Sequence, residues 1–213
     1  RGCFNSTTGV WKTYGLADAT WGQSGDIAVP ADFNGDGKTD RAVFRPSAGT
    51  WSVEGVISDY VYGTAGDIPV PGDYNGVGKA YAAVYRPSTF QWWIDQSSPV
   101  TWGIATDIPV PGDYNGDGKV DIAVYRPPSP TNGIWYIKGV STTTWGMPGD
   151  IPVPGDYNGD GDSDIAIWRP SNSTWYAMGI LTTAFGTTGD IPVPGDYNKD
   201  GITDLAVWRP STN

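Results

Sequence analysis

Residues 156–164 read Asp-Tyr-Asn-Gly-Asp-Gly-Asp-Ser-Asp, so oxygen-bearing side chains recur at every second position and a glycine follows the fifth. Such a loop can surround a hard cation. Positions one, three and five offer side-chain oxygens, position seven its backbone carbonyl, and position nine a last carboxylate. The chain has no histidine and its one cysteine lies far away at Cys3. The donors are therefore hard oxygens, which favours Ca²⁺ over Zn²⁺ or copper, and a pliable loop with several protein ligands suits Ca²⁺ better than Mg²⁺.

Four copies of the pattern are intact, so four Ca²⁺ sites are expected. They are Asp32, Asn34, Asp36 and Asp40 with the carbonyl of Lys38; Asp113, Asn115, Asp117 and Asp121 with Lys119; Asp156, Asn158, Asp160 and Asp164 with Asp162; and Asp196, Asn198, Asp200 and Asp204 with Ile202. A fifth copy keeps Asp73 and Asn75 but has Val77 and Tyr81 in place of two acids, so the loop from Asp73 to Tyr81 is expected to hold no ion. Asp, Asn and Gly also make good turns unaided. A turn, however, does not need three acids side by side, which repel one another by about 1 kcal/mol or more per pair without a cation. An ion that binds only the folded form stabilises it, so the expected role is structural.

The elements that hold these loops repeat with them. The first loop aspartates, Asp32, Asp73, Asp113, Asp156 and Asp196, are 41, 40, 43 and 40 residues apart. A period of this size implies stacked supersecondary units, and each unit has room for about four short strands. Before each loop stands a motif such as Ile68-Pro69-Val70-Pro71, whose two prolines lack N–H groups on the same side, so this strand belongs at a blade edge facing the central channel. After each loop comes a strand ending aromatic-Arg-Pro, at Phe44, Tyr85, Tyr125, Trp168 and Trp208. A third strand carries Trp11, Trp51, Trp92 or Trp93, Trp135 and Trp175, and a fourth ends aromatic-Gly at Trp21, Tyr62, Trp102, Trp145 and Phe185.

The predicted fold class is all-β, a five-bladed β-propeller of four-stranded blades. Residues 1–7 match nothing in the repeat and read as an extension; residues 8–213 form a single propeller. Residues 8–22 match the second half of a unit and residues 190–213 the first half, so the N-terminal strands are expected to pair with the C-terminal half-blade and close the ring.

The aromatic residues fill the wedges between blades or, in part, line sugar-stacking pockets. Trp92 and Trp93 are the ligand-binding candidates, because adjacent strand residues face opposite sides and only one can belong to the core. The repeated Arg45, Arg86, Arg126, Arg169 and Arg209 find their expected partners in Asp26, Asp67, Asp107, Asp150 and Asp190, as structural forks.

Net charge is −10, and of the 23 acids only Glu54 is a glutamate, so the acidity is positional. Nucleic acid is not an expected partner, since no basic stripe is present to displace phosphate counterions. No apolar run has transmembrane length, so no membrane insertion is expected. A single cysteine excludes an internal disulfide, and Asn5 and Asn172 open glycosylation sequons.

The run Asp-Tyr-Asn-Gly-Asp-Gly-Lys-Val-Asp-Ile-Ala-Val-Tyr at 113–125 resembles the calcium loop and following strand of the FG-GAP and VCBS repeats. These occur in integrin alpha-chain propellers, in a fungal sugar-binding propeller and beside catalytic domains of secreted bacterial proteins. The resemblance covers essentially the whole chain and implies Ca²⁺ at loop positions one, three, five and nine of the four intact copies. The expected function is that of a secreted, non-catalytic recognition module of the extracellular space, with glycans or an extracellular protein surface as partner. The alternatives are a structural subunit of a filament or surface assembly, formed by strand exchange between copies, and an accessory domain of a secreted hydrolase. Catalysis by the chain itself is not expected, because acids recurring in all five units share nearly equal environments and cannot take the distinct roles of acid and nucleophile.

Overall fold

A computed structural model describes residues 2–13, 17–128 and 131–210. The fold class is all-β, a five-bladed β-propeller; among the described residues four blades are four-stranded antiparallel sheets, and a three-stranded and a two-stranded sheet accompany them. The chain divides into two compact units, Arg1–Ala105 and Thr106–Asn213. No helix among the described residues is long and apolar enough to cross a membrane.

The first unit opens with a three-stranded sheet, β1 (Gly2–Asn5), β2 (Val10–Thr13) and β3 (Ala19–Thr20). Its first blade is β4 (Ile27–Ala28), β5 (Ala42–Arg45), β6 (Thr50–Val53) and β7 (Ile57–Val61); its second is β8 (Ile68–Pro69), β9 (Ala83–Arg86), β10 (Gln91–Ile94) and β11 (Val100–Thr101). In the second unit the third blade is β12 (Ile108–Pro109), β13 (Ala123–Arg126), β14 (Ile134–Ile137) and β15 (Ser141–Thr144). The fourth is β16 (Ile151–Pro152), β17 (Ala166–Arg169), β18 (Thr174–Ala177) and β19 (Leu181–Ala184), and the fifth shows β20 (Ile191–Pro192) and β21 (Val207–Trp208).

Proline sets the inner edge as expected. Val70 donates its N–H to the Ala83 carbonyl at 2.8 Å, and the flanking Pro69 and Pro71 have none to offer on the other side. β8 is accordingly the edge strand of its sheet, and it lasts two residues.

Second strands are buried on both faces. Phe44, Tyr85 and Tyr125 are fully buried, and each leans on the tryptophan paired with it in the third strand, with ring centroids 5.1, 5.4 and 5.2 Å apart. Within the first unit one apolar cluster joins Phe44, Trp51 and Val53 of the first blade to Ala82 and Val84 of the second. Within the second unit Tyr125 and Trp135 meet Ile165 and Ile167 in the same way. A ring of this size removes about 4–6 kcal/mol worth of apolar surface from water, as an upper bound. Indole N–H groups then tie the third strand to the carbonyl of the fourth-strand aromatic: Trp51 to Tyr62 at 2.8 Å, Trp92 to Trp102 at 3.1 Å, and Trp175 to Phe185 at 3.0 Å.

The structure differs from expectation at the N-terminal strands. Gly2–Asn5, which the sequence leaves outside the repeat, form β1, paired with β2 in the register Phe4 to Trp11 that Phe44 and Trp51 show in a complete blade. The expected pairing of residues 8–22 with the C-terminal half-blade is therefore not the arrangement adopted. β2 carries β1 on one edge and β3 on the other, while β21 pairs with β20.

Candidate functional site

Each cation-type loop joins a first strand to a second strand. The opening aspartate folds the loop around itself. In the first loop Asp32 Oδ1 accepts the Gly35 N–H at 2.6 Å and its Oδ2 the Gly37 N–H at 2.8 Å. Asp113 does the same with Gly116 and Gly118, Asp156 with Gly159 and Gly161, and Asp196 with Lys199 and Gly201. The sixth position needs a left-handed backbone, φ 79° at Gly37, which glycine adopts without strain.

The remaining donors also hold backbone. Asn34, Asn115, Asn158 and Asn198 each accept the N–H of the fifth residue, and Asp36, Asp117, Asp160 and Asp200 that of the seventh, namely Lys38, Lys119, Asp162 and Ile202. The ninth residues, Asp40, Asp121, Asp164 and Asp204, receive the N–H of the second. The second loop keeps the same wrap, with Asp73 accepting Gly76 at 2.8 Å and Gly78 at 2.7 Å, even though Val77 and Tyr81 have replaced its acids. The wrap around the opening aspartate is thus common to the intact loops and the degenerate one.

Acids crowd one another at the ninth position of two intact loops. Burial pushes the Asp121 carboxyl above its ordinary range, with the charges of Asp113 and Asp117 adding to it. Burial also raises Asp164, helped by Asp160, Asp156 and Asp162. At the opening position burial works in the same direction but is outweighed by backbone N–H groups, so the Asp73 carboxyl is held low, as are those of Asp32 and Asp196 in two intact loops. The donor set, all carboxylate, amide and carbonyl oxygen, fits a hard divalent ion in its chemistry. Among the described residues no three acidic, histidine or cysteine side chains already converge as a finished cage. The same oxygens bind backbone instead, and a carboxylate with its roughly four lone pairs keeps capacity beyond those bonds.

The arginine forks are structural, as expected. Arg86 Nε and Nη2 donate to the two oxygens of Asp67 at 2.8 Å each, and the equivalent pairs Arg45 with Asp26, Arg126 with Asp107, Arg169 with Asp150 and Arg209 with Asp190 lie between 2.7 and 3.1 Å. Asp67 also accepts the Thr64 N–H at 2.9 Å, so the fork pins the turn that enters the blade.

Between the third and fourth blades, inside the second unit, lies a cavity of about 330 Å³ lined by Asn132, Thr144, Trp145, Gly146, Met147, Ile167, Arg169 and Tyr176. The Arg169 guanidinium stacks 4.6 Å from the Tyr176 ring centroid, while its Nε and Nη2 stay on Asp150. Trp145 also borders a smaller cavity with Ala177, Gly179, Ile180, Leu181 and Thr182. Its indole N–H is buried and has no acceptor among the described residues.

Trp92 is corrected from ligand-binding candidate to core residue. It is fully buried against Tyr85 and its N–H is spent on Trp102. Trp93 faces the other way, 4.9 Å above the Arg86 guanidinium, in the place that Tyr136 and Tyr176 hold over Arg126 and Arg169. Sequence reading missed Trp145, Arg169, Tyr176 and Asn132 as a group. The available signal was the second aromatic after the third-strand tryptophan, at Trp93, Tyr136 and Tyr176. Asn5 caps its turn by accepting the Thr7 and Thr8 N–H groups, and Asn172 is exposed, donating to the Tyr176 hydroxyl at 3.0 Å.

Comparison with protein-family models, with characterised proteins and with solved structures finds no match to this chain.

Proposed function

We propose that this chain is a non-catalytic recognition module of the extracellular space, stabilised by Ca²⁺ in its four intact loops and binding a saccharide in the cavity beside Trp145. The bladed fold and the D-x-N-x-D-G-x-x-D loops support a kinship with FG-GAP and VCBS repeats. In this reading Ca²⁺ is held by loop positions one, three, five and nine with the seventh carbonyl, and it supplies positive charge where carboxylates repel.

The observation that carries the saccharide is a cavity whose wall sets Trp145 beside Thr144, Asn132 and the stacked Arg169 and Tyr176. A pyranose combines what the walls ask for: an apolar C–H face for a ring and hydroxyls that both donate and accept.

Glycan-array screening followed by calorimetry in Ca²⁺ buffer tests the reading. A saccharide is expected to bind the wild type and to lose at least tenfold in affinity on Trp145→Ala. Absence of any saccharide binding at millimolar concentration overturns the carbohydrate assignment.

A further inference from the structure

Within each unit, neighbouring cation-type loops touch, and always in the same way. The backbone carbonyl of the opening aspartate accepts the N–H of the eighth residue of the next loop: Asp32 from Ala80 at 2.6 Å, Asp113 from Ser163 at 2.5 Å and Asp156 from Thr203 at 2.6 Å. That bond draws the seventh residue of the later loop over the fourth residue of the earlier one. A Cβ at Gly116 would strike the Asp162 carboxylate, one at Gly159 would lie 3.0 Å from Ile202 Cγ1, and one at Gly35 would lie 3.7 Å from Lys79 Cβ. All three earlier loops carry glycine where the neighbour leans in.

The leaning residue differs in charge from seam to seam. Asp162 is a half-buried carboxylate, Ile202 is neutral, and Lys79 is an exposed ammonium. Gly116 separates Asn115 from Asp117, two donors of the third loop, and the charge of Asp113, its opening donor, acts on Asp162 along with those of Asp160 and Asp156 from the fourth loop. The motif uses only the backbone of a seventh residue, and the Asp162 N–H is held by Asp160 Oδ1 at 2.9 Å. Its side chain is therefore open to variation without loss of a fourth-loop ligand.

We propose, on the reading of these loops as Ca²⁺ sites, that the seventh side chain of one loop sets the cation affinity of the loop before it. Asp162 strengthens Ca²⁺ binding in the third loop, and Lys79, from the degenerate second loop, weakens it in the first. A full charge a few ångströms from a divalent ion acts on it through partly solvated space, which is worth about threefold to tenfold in affinity and is screened by salt. The effect of Lys79 is smaller, about twofold, because its ammonium rests 5.6 Å from the Tyr81 ring centroid in its own loop. A loop expected to hold no ion thus still acts on one that does.

Ca²⁺ titration followed by heteronuclear NMR reads each loop separately, through the amide of its sixth residue, Gly37, Gly118 or Gly161, which bonds the opening aspartate. Asp162→Asn keeps the shape of the side chain and removes its charge. It is expected to weaken Ca²⁺ binding at Gly118 about threefold to tenfold, and at Gly161 as well, since Asp162 also borders its own loop, while Gly37 is unchanged. The loss at Gly118 should shrink at high salt. Lys79→Gln should strengthen binding at Gly37 about twofold and leave Gly118 and Gly161 as they were. A third loop unchanged in Asp162→Asn, or a first loop unchanged in Lys79→Gln, overturns the proposal and leaves the cation reading standing. Loop glycines that show no response to Ca²⁺ in the wild type overturn the cation reading and the proposal with it. Resonances of the second strands, read in the same spectra, check that each variant is folded.

Discussion

Chelation of Ca²⁺ should weaken the two halves of the molecule unequally. The unit Arg1–Ala105 contains one intact loop, at Asp32, and the degenerate loop at Asp73; the unit Thr106–Asn213 contains three intact loops, at Asp113, Asp156 and Asp196. For an extracellular-type site with a dissociation constant near 0.1 mM in about 2 mM free Ca²⁺, linkage gives about 1.8 kcal/mol per loop. That is about 1.8 kcal/mol for the first unit and, at three loops, about 5.4 kcal/mol for the second. Hydrogen exchange read by mass spectrometry resolves the two. On adding a chelator, the slowest amides of the first unit should exchange about 20-fold faster and those of the second about 8,000-fold faster, provided each unit opens as a whole. Strands β5 and β9 report the first unit and β13 and β17 the second, since their residues are the most deeply buried. Equal acceleration of both units would refute the count of one against three. No change in either would refute the cation assignment, and would leave the loops as turns held by their own aspartates.

Four other outcomes are expected. Val77→Asp with Tyr81→Asp restores two acids to the second loop, whose wrap around Asp73 is already formed, and should raise the calorimetric stoichiometry from four Ca²⁺ to five; a stoichiometry of four would show that acids alone do not make the site. Asp67→Asn keeps the size of a buried side chain but removes both charged bonds from Arg86, which is itself partly exposed, so denaturant unfolding should show a loss of roughly 2–4 kcal/mol; a loss under about 1 kcal/mol would place the fork among ordinary surface pairs. Trp92→Ala should cost about 3–5 kcal/mol, and Trp93→Ala clearly less, in the same assay. The Arg209 fork holds the Asp190 carboxyl down to about 2, below its ordinary 3.8, so its stabilisation is complete above about pH 4 and is lost as pH falls towards 2; an acid titration of the wild type against Asp190→Asn should converge over that window.

The bladed fold was legible because each repeat states the same thing several ways. The prolines of Ile68-Pro69-Val70-Pro71 fix an edge strand, the aromatic before each Arg-Pro fixes a doubly buried one, and the partner of each arginine is 19 residues back in every unit. β1 was not legible. Gly-Cys-Phe-Asn shares only the aromatic with Ala-Val-Phe-Arg, and what makes it a second strand is the backbone ladder to β2, which composition does not record. The loop carboxylates were legible as donors but not in their orientation. A motif spaced to hold a cation is also spaced to cap its own N–H groups, and the same oxygens can serve both uses. Trp92 and Trp93 were legible as a pair facing opposite ways, whereas which of them faces the core depends on the register with Tyr85 and Val84.

The cavity was the least legible feature, and its origin shows where recognition has room to arise in a repeat fold. The connections from second to third strand are residues 46–49, 87–90 and 170–173 in three blades but 127–133 in the third, which accounts for the 43-residue spacing. That longer connection brings Asn132 to the cavity and leaves the Trp135 indole N–H without the carbonyl partner that Trp51, Trp92 and Trp175 have. Tyr125 likewise keeps a buried hydroxyl with no partner among the described residues, where Tyr85 bonds the Ile104 carbonyl at 3.0 Å. Three polar atoms, on Tyr125, Trp135 and Trp145, are thus orphaned around one inter-blade seam. Thr50, Trp93 and Trp168 also carry unpartnered buried atoms in blades of ordinary spacing, so what sets this seam apart is the longer connection together with three such atoms, a local departure on which a ligand site can be built. Shortening 127–133 to the four-residue length of its counterparts should therefore stabilise the second unit and abolish saccharide binding together, whereas a cavity that served only as a packing defect would give the first effect without there being any binding to lose.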